Sequence, residues 1–338
     1  MHRRPFLSPK RDLPSPMAIG RRAALAAPLL GLAGRAGASG DYPGGRTATV
    51  VMPYTAGGLV SILGDTINRG LMQRLGGSFV TDFRPGGSTA IGARQVARAR
   101  PDGLTLLMGS VTTFTVLPFT VRNLGYDPLA DFEHLTMIGN TLFVLVGNPR
   151  WPDLPALLDE ARRRPGALSY ASFGAATTAH LVMLDFLRRA GLEMLHVSFG
   201  GSAAAITEII GGRVDVMFST LASAKPHLEA GRLRGFGIPS AQRTAALPDI
   251  PTLIEQGFND FTFDAWLSMA TPARTPAAIT GALEAALIAT FADPEARARL
   301  DTLGLEATPP GAAAVQESIR RNLRLNGELV NQAGITAE

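Results

Sequence analysis

One pattern recurs along this chain and limits what it can fold into: a short apolar run, a turn of Gly, Ser and Thr, then apolar residues spaced by three and four. Its first instance is VVMPYTAGGLVSILGD, residues 50–65. Ala48–Met52 reads as a strand and Tyr54–Gly58 as a turn. Leu59, Ile62, Leu63, Thr66, Ile67, Gly70, Leu71 and Leu75 then mark an amphipathic helix that Gly76-Gly77 ends. The pattern returns at Phe79–Phe83 with a helix over Ala90–Arg98, and at Leu104–Met108 before the polar Ser110–Thr113. It returns again at Leu168–Ser172 with a helix over Thr177–Ala190, and at Met194–Val197 with a helix over Ser202–Ile210. Strands at Val214–Phe218 and Leu233–Ile238 follow, and the chain after Pro272 reads as largely helical. Alternating strand and helix predicts a parallel-sheet α/β protein. Short strands in two groups predict two sheets, and 338 residues can fill two domains. The extended apolar segments Leu135–Asn148 and Phe261–Thr271 are expected to cross between them, so that the C-terminal helices rejoin the first domain.

Charge is distributed unevenly. The net charge of +4 rests on 32 basic and 28 acidic residues. Residues 1–38 hold seven of the basic residues and one acid, which leaves 25 and 27 for the rest. The basic excess belongs to the leader, and a nucleic-acid partner loses its support. That leader has a positive Arg21-Arg22, an apolar run Ala23–Leu32 and a small-residue cleavage site Ala36-Gly37-Ala38. It reads as an export signal cleaved near Ala38, with Met1 or Met17 as the start. The apolar run is too short to span a membrane. With no Cys, the chain has no lipobox cysteine for lipid attachment, no disulfide, no thiol catalysis and no thiolate metal site.

Five turns carry the functional signal: Tyr54–Gly58, Pro85–Thr89, Ser110–Thr113, Phe173–Thr178 and Phe199–Ser202. Each follows the carboxyl end of a predicted strand, the edge that faces the ligand crevice in open α/β sheets. Most precede a helix start, where unpaired N–H groups and the positive dipole end favour an anion. Gly admits a ligand close to the backbone, and Ser and Thr add hydroxyl donors. The same residues are also ordinary turn and capping residues.

Catalytic patterns are weak. No GxxxxGK[ST] loop, GxSxG elbow or HExxH spacing occurs, and the first strand is not followed by GxGxxG. No metal, no cofactor and no catalytic residue is predicted. His180 stands beside the Thr177-Thr178 cap, where either a structural hydrogen bond or a ligand-facing role is open. An enzyme that uses the turns as an oxyanion site would need a nucleophile–base pair, such as His180 beside Ser110, Ser202 or Ser219.

From about Tyr42 onward the chain resembles the solute receptors of tripartite tricarboxylate transporters, the Bug or TctC family. The resemblance rests on ordered landmarks: PYTAGG at Pro53–Gly58, RPGG at Arg84–Gly87, PDGLTLLMGS at Pro101–Ser110, YDPLADF at Tyr126–Phe132, YASFGAATTAHL at Tyr170–Leu181, HVSFGGSAAA at His196–Ala205, GGRVDVMF at Gly211–Phe218 and SAQRTAALPDIPT at Ser240–Thr252. It implies an α/β, two-lobed periplasmic-binding-protein-like fold of type II. Each lobe would be a mixed, mainly parallel sheet flanked by helices, with two crossings. One lobe is expected at 39–140 plus 268–338 and the other at 141–267. The implied function is a periplasmic receptor, a monomer, that captures a small carboxylate and presents it to membrane permease subunits. A sensor feeding a signalling partner is the alternative receptor role. The expected ligand contacts are Tyr54, Gly58, Ser61, Gly87, Ser88, Ser110 and Thr112 from one lobe, and Gly174, Thr177, Thr178, His180, Phe199 and Ser219 from the other.

The chain departs from the family pattern at several of these positions. Ser61 and Ser219 stand where the family usually has Asp, and Phe83 stands where it has Asn. Ser198-Phe199-Gly200-Gly201 replaces the usual Pro-Tyr-Lys-Gly, and Ser88-Thr89 replaces a second Gly pair. Loss of the acids removes partners for an ammonium group, which favours a more apolar or aromatic carboxylate over an amino acid.

Overall fold

A computed structural model describes residues 42–175 and 177–332. The export signal expected at residues 1–38 lies outside them. The chain begins as expected, with β1 (Thr47–Met52), α1 (Gly58–Leu75), β2 (Ser78–Phe83), α2 (Ala90–Ala97) and β3 (Thr105–Ser110). A wide helical turn over Thr112–Val116 leads into α3 (Leu117–Thr120) and then β4 (Phe132–Thr141). Next come β5 (Phe143–Gly147), α4 (Leu154–Arg163), β6 (Ser169–Ser172), α5 (Thr178–Ala190), β7 (Leu195–Ser198) and α6 (Ser202–Ile210). β8 (Val216–Thr220), α7 (Leu221–Glu229) and β9 (Arg234–Gly237) follow. The chain ends with β10 (Trp266–Pro272), α8 (Ala277–Phe291), α9 (Pro294–Thr302), β11 (Leu305–Glu306) and α10 (Ala312–Gln332).

Two sheets result. The first has the order β11-β4-β10-β3-β1-β2 and the second β7-β6-β8-β5-β9. Strand alternation sorts the side chains onto two faces. In β1, Ala48, Val50 and Met52 join Leu59, Leu63, Ile67 and Leu71 of α1 and Leu283 and Leu287 of α8. Val51 points the other way, to Ala90, Ala93 and Val96 of α2. The second sheet repeats the arrangement: Leu145, Tyr170 and Phe218 pack with α4 and α5, while Val144, Ala171 and Met217 pack with Ala205, Ile206 and Ile209 of α6. Each sheet is therefore covered on both faces, as its apolar strands require.

The sheets are mixed and mainly parallel in strand direction, as expected: only β10 and β11 run against the other four strands of the first sheet, and only β5 against the other four of the second. β1–β2, β1–β3, β6–β7 and β6–β8 are parallel, whereas β10 is antiparallel to β3 and β4, β11 to β4, and β5 to β8 and β9. The cause lies in the crossings. Only Leu142 separates β4 of the first sheet from β5 of the second. A strand that leaves a sheet and one that returns beside it across the same boundary run in opposite directions. β10 is that returning strand, and it brings Trp266 and Leu267 into the first sheet.

Strand ends shift. β3 runs through Ser110 and β8 through Thr220, because Ser110 pairs with Leu267 and Ser219 with Val144. Both serines thus stand on strands, not in turns. Among the described residues no single helix is long and apolar enough to cross a membrane.

Candidate functional site

Parallel pairing carries the carboxyl ends of β1, β2 and β3 to one edge of the first sheet, and those of β6 and β7 to one edge of the second. The turns on these edges meet. Thr55 donates its hydroxyl to the Gly200 carbonyl at 3.3 Å. Ser88 donates to the Ala175 carbonyl at 2.8 Å. The Thr112 and Thr178 hydroxyls are 2.7 Å apart, and the Thr178 amide donates to Thr112 Oγ1 at 3.0 Å. These contacts across the boundary use only hydroxyls, an amide and carbonyls.

The β2–α2 turn is strained where it meets the other side. Ser88 and Thr89 have φ of 50° and 92°, values that L-residues with a Cβ rarely adopt. Opposite them, Gly174 has φ 141°, and a Cβ there would lie 3.0 Å from Ser88 Oγ. The φ favours glycine at this position, and a side chain there would press on the Ser88 hydroxyl and force it to shift. Gly87, with φ 54°, opens the short turn that carries Ser88.

Behind these contacts runs a chain of hydroxyls. Tyr54 donates to Ser110 Oγ at 2.8 Å, Ser110 lies 3.1 Å from Thr113 Oγ1, and Thr113 lies 2.9 Å from Thr89 Oγ1. Burial pushes the Tyr54 phenol up to about 12, against a smaller opposing effect of its bond to Ser110. The phenol therefore stays protonated, as a donor to Ser110 requires. Ser61 accepts the Gly57 amide at 2.8 Å and so ties the β1–α1 turn to the first turn of α1, which Gly58 opens.

The helices that start at this edge have no cap from a side chain of their own, although the Thr178 amide is met by Thr112 and the Ala90 amide by the Gly87 carbonyl. α1, α2, α5 and α6 have no side-chain cap and no acid in the first turn. By contrast, Asp153 and Asp293 cap α4 and α9, although α8 also starts uncapped, behind Pro276. Helix N-termini with neutral hydroxyl neighbours can accept an anion without a cationic side chain.

The remaining expected contacts fall as follows. Thr177 donates to the Gly174 carbonyl at 2.9 Å and shapes that turn from within. His180 meets the Tyr170 hydroxyl through Nε2 at 3.0 Å. The Phe199 ring is partly buried against the apolar cluster on the α6 side of the second sheet. Ser219 is buried in β8 and donates to the Thr220 carbonyl at 3.1 Å.

Thr55, Thr89, Thr113, Ser172 and His196 are not among the expected ligand contacts, yet they complete the network. Thr55, Thr89 and Thr113 lie inside the quoted turns, and that position is the available signal. A serine–histidine pair does occur, Ser172 with His196 at 2.7 Å, but Ser172 is fully buried and already bonded to Gly174. It braces a turn and presents no nucleophile. Among the described residues no three His, Asp or Glu side chains gather as a metal site. A cavity of about 500 Å³, bounded by Leu184, Leu187, Met194 and Leu329, contains none of the expected ligand contacts.

Comparison with known proteins adds to this geometry. A family model described as tripartite tricarboxylate transporter family receptor matches residues 65–335. Three solved structures are similar along nearly their whole length. The Rhodopseudomonas palustris protein Rpa4515, solved with adipate, is 29% identical at a TM-score of 0.83, and the match covers 87% of this chain and 99% of that one. MatC from the same organism, with bound malate, is 26% identical at a TM-score of 0.79, covering 84% and 99%. The periplasmic binding protein BugD is 26% identical at 0.81, covering 87% and 99%.

Proposed function

This chain belongs to the tripartite tricarboxylate transporter receptor family, and from that premise we propose that it is a periplasmic receptor that closes its two sheets on a small carboxylate. The observation that carries the reading is the set of helix starts at α1, α2, α5 and α6, which lack side-chain caps and acids of their own and are flanked by the hydroxyls of Tyr54, Ser110, Thr112 and Thr178. A carboxylate between them is held by N–H and O–H donors, and its two-sided contacts favour the closed arrangement. The adipate and malate held by two of the similar proteins support the same ligand class. We assign the residues before the first crossing and after the second to one lobe, and those between the crossings to the other. Gly87, Ser88, Gly174 and Thr177 complete the ligand turns. With Ser61 and Ser219 at the two departures, the site lacks the acids that would hold an ammonium group, so a carboxylate without an amino group is the preferred ligand. The closed form would dock to the membrane subunits of a tripartite transporter.

A thermal-shift series on the exported protein tests this, with malate, adipate, benzoate, glutamate and glucose as probes. At least one carboxylate lacking an amino group should raise the unfolding midpoint by several degrees at millimolar concentration. Stabilisation by glucose alone would overturn the reading. Sequencing of the exported protein should begin near Ser39.

A further inference from the structure

His180 and His196 stack face to face, with ring centroids 4.0 Å apart and planes 9° from parallel. They arrive from different elements, α5 and the edge strand β7, and Tyr170 of β6 stacks beside them at 5.0 Å from His196 and 6.0 Å from His180. Tyr170 and His196 are register partners in the sheet, so both side chains rise from the same face toward α5. This cluster lies directly behind the ligand turn. His196 Nε2 is 2.7 Å from Ser172 Oγ. Ser172 donates to the Gly174 carbonyl at 2.9 Å and accepts the Gly174 amide at 3.2 Å. With its only proton committed to Gly174, Ser172 accepts from His196, which fixes the neutral imidazole with its proton on Nε2. The next residue, Ala175, accepts the hydroxyl of Ser88 from the opposite sheet.

We propose that the stacked His180–His196 pair is a proton-sensitive brace for the ligand turn. With both rings neutral it holds Ser172, and through it Gly174 and Ala175, in the shape that meets Ser88. Protonation of either ring releases the turn and weakens ligand binding. This rests on the reading of the cleft as the ligand site.

The physical reason is the cost of a charge in this stack. An imidazolium formed here loses water and sits against a second ring that cannot then charge beside it. Protonation of His196 adds a proton at Nδ1 and leaves its Nε2–H donor to Ser172 in place, so release comes through the stack: the rings part to rehydrate the charge, and that movement draws His196 away from Ser172. Burial holds both imidazoles below their ordinary range, His180 at about 4, and the adjacent His196 lowers His180 further. The titratable groups facing the rings are each other, from α5 and β7, and the Tyr170 phenol from β6, which burial keeps protonated. Asp185, five residues further along α5, is engaged by Arg188 and Arg189, and Glu193 ahead of β7 is exposed. The brace is intact above the ordinary histidine range and fails as pH falls from about 6.5 toward about 4.

The test is a pH profile of affinity for adipate and malate by calorimetry, at pH 7.5 and 5.0, in wild type, His196→Gln and His180→Gln. Gln cannot take up the proton. The probes ionise identically for all three proteins, so their own titration cancels when each protein's ratio of affinities is compared. The wild-type loss on acidification should exceed that of either variant by about tenfold, the change expected for one linked proton over one pH unit. Equal ratios in wild type and both variants would overturn the brace. Failure of both probes to bind at pH 7.5 would instead count against the carboxylate reading. A ligand-free measurement then decides the brace: amide exchange over residues 172–178, corrected for the intrinsic pH effect. Protection should drop about fivefold or more between pH 7.5 and 5.0 in wild type and persist in His196→Gln, and unchanged protection in wild type would sink the proposal.

Discussion

Thr112 and Thr178 lie 66 residues apart and share a 2.7 Å hydroxyl–hydroxyl hydrogen bond that joins the two sheets. The Thr178 amide, in the first turn of α5, donates to the same Thr112 oxygen at 3.0 Å. Both residues are buried, so neither group has ready access to water as a substitute. A single hydroxyl beside the first sheet thus orders the start of α5 beside the second.

Thr112→Val keeps the shape and removes that hydroxyl. It leaves the buried Thr178 amide without its acceptor and the Thr178 hydroxyl without its partner, a cost of about 1–3 kcal/mol. Affinity for the bound carboxylate should fall about tenfold in calorimetry, and Thr112→Ser should recover most of it.

Tyr54 controls the hydroxyl chain on the first sheet. Tyr54→Phe removes one donor to Ser110 while Thr113 remains beside that oxygen, so affinity should fall several-fold, or about 1 kcal/mol. The phenol is held protonated, its pKa raised from 10 to about 12. A raised tyrosine pKa contributes stability that is full below pH 10 and lost as pH rises toward about 12. Affinity of the wild type should therefore stay level from pH 7.5 to about 9.5, and a loss within that range would contradict the neutral-donor role.

Asp215 ties the second sheet together. Its carboxylate accepts the Ser169 amide at 2.7 Å and the Ser169 hydroxyl at 3.3 Å, and it pairs with Arg150. It is buried, whereas the Arg150 side chain is 48% exposed. Asp215→Ala should lower stability in urea unfolding by about 2–4 kcal/mol, because a buried amide is left unsatisfied. Arg150→Ala should cost less, since water can reach that side of the pair.

His134 sets part of the acid response. It is 4% exposed, stacks edge-on to Phe114 and meets the Pro128 carbonyl at 2.8 Å through Nε2. Burial lowers its pKa from 6.5 to about 4, against a smaller raising effect of the Pro128 bond. A histidine depressed in this way binds protons more readily when unfolded. Its stability contribution is full above about pH 6.5 and is lost as pH falls toward about 4. His134→Gln should lower the midpoint at pH 7.5 but flatten its decline between pH 6.5 and 4.5, by up to about 1.4 kcal/mol per pH unit. An unchanged slope would show that His134 already titrates normally.

The sequence by itself determined the local elements. Apolar spacing and the Gly pair marked α1 to within a residue, and Ser202–Ile210 marked α6 at both ends. These follow from fixed backbone periods that a single segment expresses. It also placed the five turns at strand ends, because a parallel strand must be followed by a connection of this kind. Tertiary structure alone decided which turns meet. Ser88 touches Ala175 across 87 residues, and His196 reaches Ser172 across 24. The antiparallel course of β10 and the left-handed backbone at Ser88 and Thr89 depend equally on distant partners. So does the stacking of His180 on His196, two residues that read as unrelated in sequence. Such contacts arise only when two sheets and their crossing strands bring separate segments together, and no local period encodes them.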